Sequence, residues 1–325
     1  MLRPRVMLFA RRLILFPLAL LLVAATRAQE GKPNPDSSQN CGLCHTEIYQ
    51  EWKATVHARA WTDPIYQAAI KDRPRSELCH KCHKPGPVLE RVGHQPKPRE
   101  ALVEEGVQCI ACHKLDGKMH GPFELQTDAH PTEKSALFQS DSVSLCRSCH
   151  DTKVGPVLAI AKSFDKGKFK DEGKTCSSCH MAEVERPVAV QIATGQPAGP
   201  ARKSRSHRVL GAGDKELLAK AFRWTASRET EQVVFHLGND AGHQIPGLTL
   251  RRFRLVCRLL DKGGKEVAKG EITFSDENPL LERETRDAPK VKAPADAHAA
   301  AVELEYSFDG KLKHTLDLGS KPLGG

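Results

Sequence analysis

Flat apolar side chains are scarce in this 325-residue sequence: 11 Phe, 3 Trp and 3 Tyr amount to 5% of it. A core of ordinary density must therefore draw part of its flat apolar bulk from something other than the chain's own aromatics. Long hydrophobic runs are scarcer still. Only Leu13–Ala25 is apolar enough to enter a bilayer, and it falls short of the about 20 residues a membrane-spanning helix needs, which excludes a polytopic membrane protein. Eleven Cys are too few for a disulfide scaffold of this length. No stripe of Lys and Arg with interleaved aromatics occurs, so nucleic-acid partners are set aside.

What is present begins with an export layout. Arg3, Arg5, Arg11 and Arg12 precede the apolar run, and Thr26-Arg27-Ala28 follows it, the pattern of a signal peptide over residues 1–28. An uncut segment would serve as a membrane anchor, and in either case the expected location of the remainder is the periplasm. Residues 1–28 hold five Arg and no acid, so their removal lowers the formal charge from +9 to +4.

The remainder reads as an α+β multidomain chain. Residues 29–206 contain every Cys except Cys257, among short helical patterns and loops, with a polar leader at 29–40 and a Gly/Pro/Arg-rich linker at 195–206. Residues 207–325 change character. Phe253, Leu255, Cys257 and Leu259 alternate with Arg252, Arg254, Val256 and Arg258, and Val302, Leu304, Tyr306 and Phe308 alternate with Glu303, Glu305 and Ser307. This period of two, with further strands expected near 217–225, 231–237, 265–274 and 311–316, predicts a small antiparallel β-sandwich. The charged, Pro-containing stretch 282–298 reads as an exposed loop. Cys257 lies on an apolar strand face and is given no function.

Cys-x-x-Cys-His occurs five times: Cys41, Cys44, His45; Cys79, Cys82, His83; Cys109, Cys112, His113; Cys146, Cys149, His150; Cys176, Cys179, His180. Chance would supply about 0.02 copies. On a helical turn the positions i, i+3 and i+4 share a face, so two thiols can bond to one haem while the imidazole reaches its iron. Each motif therefore predicts one covalently bound haem c, five in all. Zinc knuckles, the competing reading, give no reason for a His after every second Cys. Five haems in this length allow about 35 residues each, so the haems should pack together and supply much of the core.

The second axial position separates electron carriers from catalysts. Ten His remain besides the five that end the motifs, and only Met119 and Met181 survive as Met ligands after export, which favours bis-His ligation. His57, 12 residues past His45, is too far along a straight helix to clasp the same iron and should reach a neighbouring haem. His120 and His130, in loops between motifs, read either as distal ligands or as surface histidines. His207 and His243 sit where a second domain could lay an imidazole on the haem stack. His80, His94, His236, His298 and His314 carry no such reading. Lys162, Lys166, Lys168, Lys170 and Lys174 read as solvated loop or as a basic rim for an acidic redox partner.

The segments CGLCHTEIYQEWKATVHARA (41–60), GVQCIACHKLDGKMHGPF (106–123), HPTEKSALFQSDSVSLCRSCH (130–150), TCSSCHMAEVERP (175–187), SHRVLGAGD (206–214) and NDAGHQIPG (239–247) together resemble the multihaem cytochromes c of the cytochrome c-554 type, which include the tetrahaem electron acceptor of hydroxylamine oxidoreductase. The resemblance implies closely stacked, largely bis-His haems exchanging electrons in the periplasm, with His57, His120, His207 and His243 at positions like those of distal ligands. Five motifs rather than four, and a following β module, depart from the tetrahaem members. The Cys-x-x-Cys-Lys motif of related pentahaem nitrite reductases is absent. The expectation is an electron carrier with redox protein partners, which a membrane-bound respiratory complex would also fit. The alternative is an oxidoreductase acting on nitrite, hydroxylamine or nitric oxide at one five-coordinate haem.

Overall fold

Helices in the first half are short because each is built around a motif or a cap rather than around an apolar stripe. The computed structural model describes residues 34–138, 142–154 and 159–323, and residues 36–325 belong to one compact unit. The expected signal peptide lies outside the described residues. Among them, no helix is long and apolar enough to cross a membrane.

Helix α1 (Ser38–Cys41) is capped by Ser37, whose hydroxyl accepts from Gln39 N at 3.1 Å, so part of the expected polar leader is helical. Helix α2 (Thr46–Lys53) buries Trp52, whose indole N–H donates to Val107 O at 2.8 Å. Helix α3 (Pro64–Ile70) starts where Asp63 accepts from Ile65 N and Tyr66 N, with Pro at its first position. The motifs then form α4 (Glu77–His83), α5 (Cys109–His113), α6 (Ser142–His150) and, after α7 (Ile160–Lys166) and α8 (Lys168–Asp171), α9 (Cys176–His180). A capping box between Thr175 and Ser178 starts α9. The first motif instead straddles the joint between α1 and α2.

Two small sheets brace these helices. Strands β1 (Lys114–Leu115), β2 (Lys118–Gly121) and β3 (Thr132–Lys134) form one, and β4 (Glu183–Arg186) pairs antiparallel with β5 (Arg202–Arg205) in the other. The Arg-rich stretch expected as linker is thus partly a strand.

From Lys215 onward the chain builds two larger sheets. Helix α10 (Lys215–Lys220), capped by Asp214, replaces the start of the strand expected over 217–225, because Glu216-Leu217-Leu218-Ala219 lacks alternation. It leads into β6 (Phe222–Arg228), β7 (Gln232–Asn239), β8 (Arg251–Leu260), β9 (Glu266–Phe274), β10 (Thr285–Lys292), β11 (Ala299–Phe308) and β12 (Lys311–Pro322). The order is β10-β7-β6 in one sheet and β12-β11-β8-β9 in the other, with all neighbours antiparallel. The loop expected over 282–298 therefore contains an edge strand. Pro289 is tolerated there because an edge strand can omit a donor, and the register shifts between Asp287 and Lys290.

The alternation seen in the sequence sets the faces. Phe253, Leu255, Cys257 and Leu259 of β8 join Val302, Leu304 and Tyr306 of β11 and Val233, Phe235 and Leu237 of β7 in one buried cluster shared by both sheets. On the opposite face of β8, Arg254 pairs with Glu271 and Glu305, and Arg258 with Glu266 and Glu303. The cluster's buried members all lie between Leu218 and Tyr306. The motif-bearing half contributes only scattered buried apolar residues such as Trp52, Val88, Leu89, Ile110 and Phe164.

Candidate haem-binding sites

Four of the five motif imidazoles are oriented by backbone carbonyls, three of them from distant parts of the sequence. The Nδ1–H of His45 donates to Val188 O at 2.6 Å, His83 to Ala60 O at 2.7 Å, His113 to His120 O at 2.7 Å and His180 to Leu210 O at 2.5 Å. A carbonyl can only accept, so Nδ1 carries the proton and the Nε2 lone pair is left for a metal. Burial disfavours the charged ring and lowers the pKa of His57, His83 and His113, and brings His150, His207 and His243 to about 4. These imidazoles are neutral at physiological pH.

Four motif rings each face a second imidazole at nearly the same separation. Ring centres are 6.3 Å apart for His45 and His130, 6.2 Å for His57 and His150, 6.1 Å for His113 and His207, and 6.3 Å for His180 and His243. Two imidazoles held on opposite sides of one metal, with bonds of about 2 Å and about 1.1 Å from nitrogen to ring centre, have ring centres about 6.2 Å apart. The residues thus fit an iron between each pair. The apolar side chains at the motifs fit a macrocycle as well: Leu43, Val56 and Leu78 are 43%, 56% and 52% exposed, a cost that a large flat apolar group lying against them would remove.

The partner rings are delivered by specific contacts. His57 O accepts from Val107 N at 2.8 Å, and Gly106 (φ +57) lies so close that a Cβ there would come within 2.3 Å of His57 O. His207 N donates to the Glu51 carboxylate at 2.8 Å, and the same carboxylate takes Arg186 in two bonds of 2.9 and 2.7 Å. Burial alone would raise the Glu51 pKa, but the Arg186 guanidinium and the His207 N–H together hold it below the usual value. His207 and His243 donate from Nδ1 to Arg205 O and Gln244 O. Around His243, Gln244 N donates to Ser163 Oγ at 2.7 Å, Asn239 Nδ2 to His243 O at 2.8 Å, and a Cβ on Gly167 would meet Gly242 O at 2.2 Å.

Of the five expected partner residues, His57, His130, His207 and His243 face motif imidazoles. His120 takes another place: it is buried, its carbonyl orients His113, and its strand position pairs with Glu133. His83 also differs. Its ring stacks face to face on Tyr66, with centres 3.6 Å apart and planes within 5°, and no imidazole faces it among the described residues. The Tyr66 hydroxyl is buried without a partner, and burial first, then the Cys79 and Cys82 thiols, raise its pKa.

The attachment sulfurs adjoin one another across motifs: Cys41 with Cys109, Cys82 with Cys149, and Cys146 with Cys176. Two of the five lysines in the run are paired within the chain. Lys168 pairs with Asp240 and Lys170 with Asp165, each at 3.2 Å, while Arg283 pairs with Asp171, so part of that charge ties α7 and α8 to the strand-rich half. Sequence reasoning did not find Glu51, Tyr66, Gly106, Gly167 or Arg186, none of which carries a local signal of its role.

Residues 40–114 match the family described as cytochrome c554 and c-prime, and residues 101–155 match the doubled CXXCH motif. The penta-heme cytochrome c552 from Thermochromatium tepidum has a similar structure, with a TM-score of 0.63 at 19% identity over 88% of this chain and 98% of that one. At this identity the likeness is one of fold. A β-glucuronidase from glycoside hydrolase family 2 overlaps 32% of this chain and 11% of its own at 14% identity and a TM-score of 0.19, too low to carry an argument. No curated protein matches.

Proposed function

We propose that the chain is a multihaem c-type cytochrome, and specifically a periplasmic pentahaem electron carrier with four bis-His haems and one haem of different ligation; the two family matches and the fold of the penta-heme cytochrome support this reading. Cys41 and Cys44, Cys79 and Cys82, Cys109 and Cys112, Cys146 and Cys149, and Cys176 and Cys179 hold the five macrocycles. His45, His83, His113, His150 and His180 are the proximal ligands. His130, His207, His57 and His243 are the distal ligands of the first, third, fourth and fifth haems. When bound, each haem supplies reversible one-electron chemistry at iron.

The single observation that carries this reading is the fourfold repetition of the imidazole spacing near 6.2 Å. The protein's own work is positional. Carbonyls fix the tautomer and angle of six of the rings, burial disfavours the charged form of His57, His83, His113, His150, His207 and His243, and the adjoining attachment sulfurs bring neighbouring macrocycles close enough for electrons to pass. The two sheets after residue 215 act as a sandwich-like module whose β7–β8 loop delivers His243, while His207 follows β5 of the small two-stranded sheet, and the module also offers a surface to redox protein partners. Iron analysis should find five irons per chain, and electron paramagnetic resonance of the oxidised protein should show four low-spin centres. Two or more high-spin centres would refute the ligand assignment.

A second reading concerns the second haem, because His83 stacks on Tyr66 rather than facing an imidazole. An open sixth position there would admit a small nitrogen compound. A high-spin signal that shifts on adding nitrite or hydroxylamine tests it.

A further inference from the structure

His83 stands apart from the other four motif rings in what surrounds it. Each of those faces a second imidazole, with ring centres 6.1–6.3 Å apart. His83 faces none among the described residues and is covered instead by Tyr66, with centres 3.6 Å apart and planes within 5°. Beyond the facing imidazoles, the other described motif rings have a single aromatic neighbour, Phe138 at His113, and it is more distant and less parallel, at 4.8 Å and 16°.

Two aromatic rings left to themselves adopt offset or edge-on arrangements rather than full overlap, so the stack on His83 is imposed by the elements around it. Tyr66 lies in the first turn of α3, where the Asp63 carboxylate accepts from its N–H at 3.1 Å. Behind it stands Trp61, with ring centres 5.8 Å apart and planes at 58°. The same indole meets the ring of His80 edge-on at 5.0 Å and lies under Lys84 Nζ at 5.0 Å. His80 belongs to the second motif, and Lys84 caps the end of its helix. Ala60 O, next to Trp61 in the chain, accepts from His83 Nδ1 at 2.7 Å. Residues 60–66 therefore grip the second motif at its ligating ring and on both sides of it.

An imidazole bound to a metal lies in a plane that contains the metal–nitrogen bond. A ring stacked on its face runs alongside that bond, on the proximal side, and leaves the opposite side of the metal untouched. What such a ring restricts is rotation of the imidazole about the bond. With Tyr66 at 3.6 Å, His83 cannot turn without driving an edge into the phenol ring and drawing Nδ1 away from Ala60 O. The flat face supplies this restraint, for the Tyr66 hydroxyl is buried without a hydrogen-bond partner.

We propose that Tyr66 is a positioning residue of the second haem: its ring, braced by Trp61, holds the His83 imidazole in one orientation about its bond to iron. This rests on the pentahaem reading, and the wild-type holoprotein separates the two. Fewer than five irons or fewer than four low-spin centres would defeat that reading, whereas five irons and four low-spin centres without the effects below would defeat only this one.

The test is electron paramagnetic resonance of the oxidised full-length holoprotein, with iron content and the unfolding midpoint measured on the same samples. The second haem is the centre outside the four bis-His signals. In the wild type it should give one narrow signal, because its proximal ring has one orientation. Tyr66→Leu removes the stack but keeps an apolar side chain, and should lose that single signal to a broadened or split one while the four low-spin signals stay unchanged. Tyr66→Phe keeps the flat ring and should retain the wild-type signal. A merely structural role would lower the unfolding midpoint of Tyr66→Leu and leave its signal narrow, and that outcome would overturn the proposal, as would a broadened signal in Tyr66→Phe. Should Tyr66→Leu retain fewer than five irons, Trp61→Leu, which removes the brace and spares the stacked ring, decides in its place: broadening confined to the second haem supports the proposal, and an unchanged signal overturns it.

Discussion

Replacing Glu51 by Ala tests whether a side chain that is not a ligand sets a ligand. Glu51 projects from the helix beside the first motif, yet its carboxylate holds the backbone N–H of His207 at 2.8 Å and the Arg186 guanidinium in two bonds. Side-chain exposures of 18% for Glu51 and 11% for Arg186 make this a mostly buried pair. Removing one partner of a buried pair costs about 3–5 kcal/mol, because the other is left uncompensated. Here Glu47, 3.3 Å from Arg186 and 73% exposed, can take up part of the stranded charge, which brings the expected loss to about 2–4 kcal/mol. Glu51→Gln keeps an oxygen for the His207 N–H and should lose roughly half as much. The measurement is denaturant unfolding of the holoprotein followed in the haem absorption band, with electron paramagnetic resonance for the third haem. Expected are a lower midpoint and partial conversion of one low-spin centre to high spin, larger for Ala than for Gln. A midpoint in Glu51→Ala within about 0.5 kcal/mol of wild type, with all low-spin signals intact, would refute the positioning role.

Acid should act on the same contact. The Glu51 pKa is lower in the folded protein than its ordinary 4.5, so its stabilisation is complete above that value and is lost as the pH falls through the folded one; a low-spin to high-spin titration below pH 4.5 should weaken in Glu51→Gln. Gly167→Ala introduces a methyl group against Gly242 O at a backbone angle any residue tolerates, and should convert the fifth haem to high spin while leaving the others unchanged. His130→Ala should convert the first haem, whereas His120→Ala, which keeps the carbonyl that orients His113, should convert none; spin quantitation distinguishes them. Phe235, fully buried between the two large sheets, should cost about 3–5 kcal/mol when replaced by Ala, read from calorimetric unfolding.

The five motifs were legible because covalent attachment demands a fixed local spacing, and β8 and β11 because one face of each is buried and the other wet. Beyond such local constraints the sequence is mute. The strand Thr285–Lys292 is hidden by Pro289 and by charges that an edge position tolerates, and α10 by its six residues, too few to show a helical period before β6 begins. Partner imidazoles could only be narrowed to candidates, since each pairing joins residues far apart in the chain. His120 and His130 look alike in sequence. What separates them is the parallel pairing of β2 with β3, in which Met119 N donates to Pro131 O and His120 lies opposite Glu133.

Of the four imidazoles that face a motif ring, His130, His207 and His243 lie beyond that motif in the chain, and His57 precedes the ring it faces. On the proposed ligation the third and fifth centres are therefore completed only by residues 207 and 243, the latter between β7 and β8. A chain ending before residue 207 would carry all five attachment motifs and should bind its full complement of haem, yet it should show two more irons open to added small ligands than the full-length protein does.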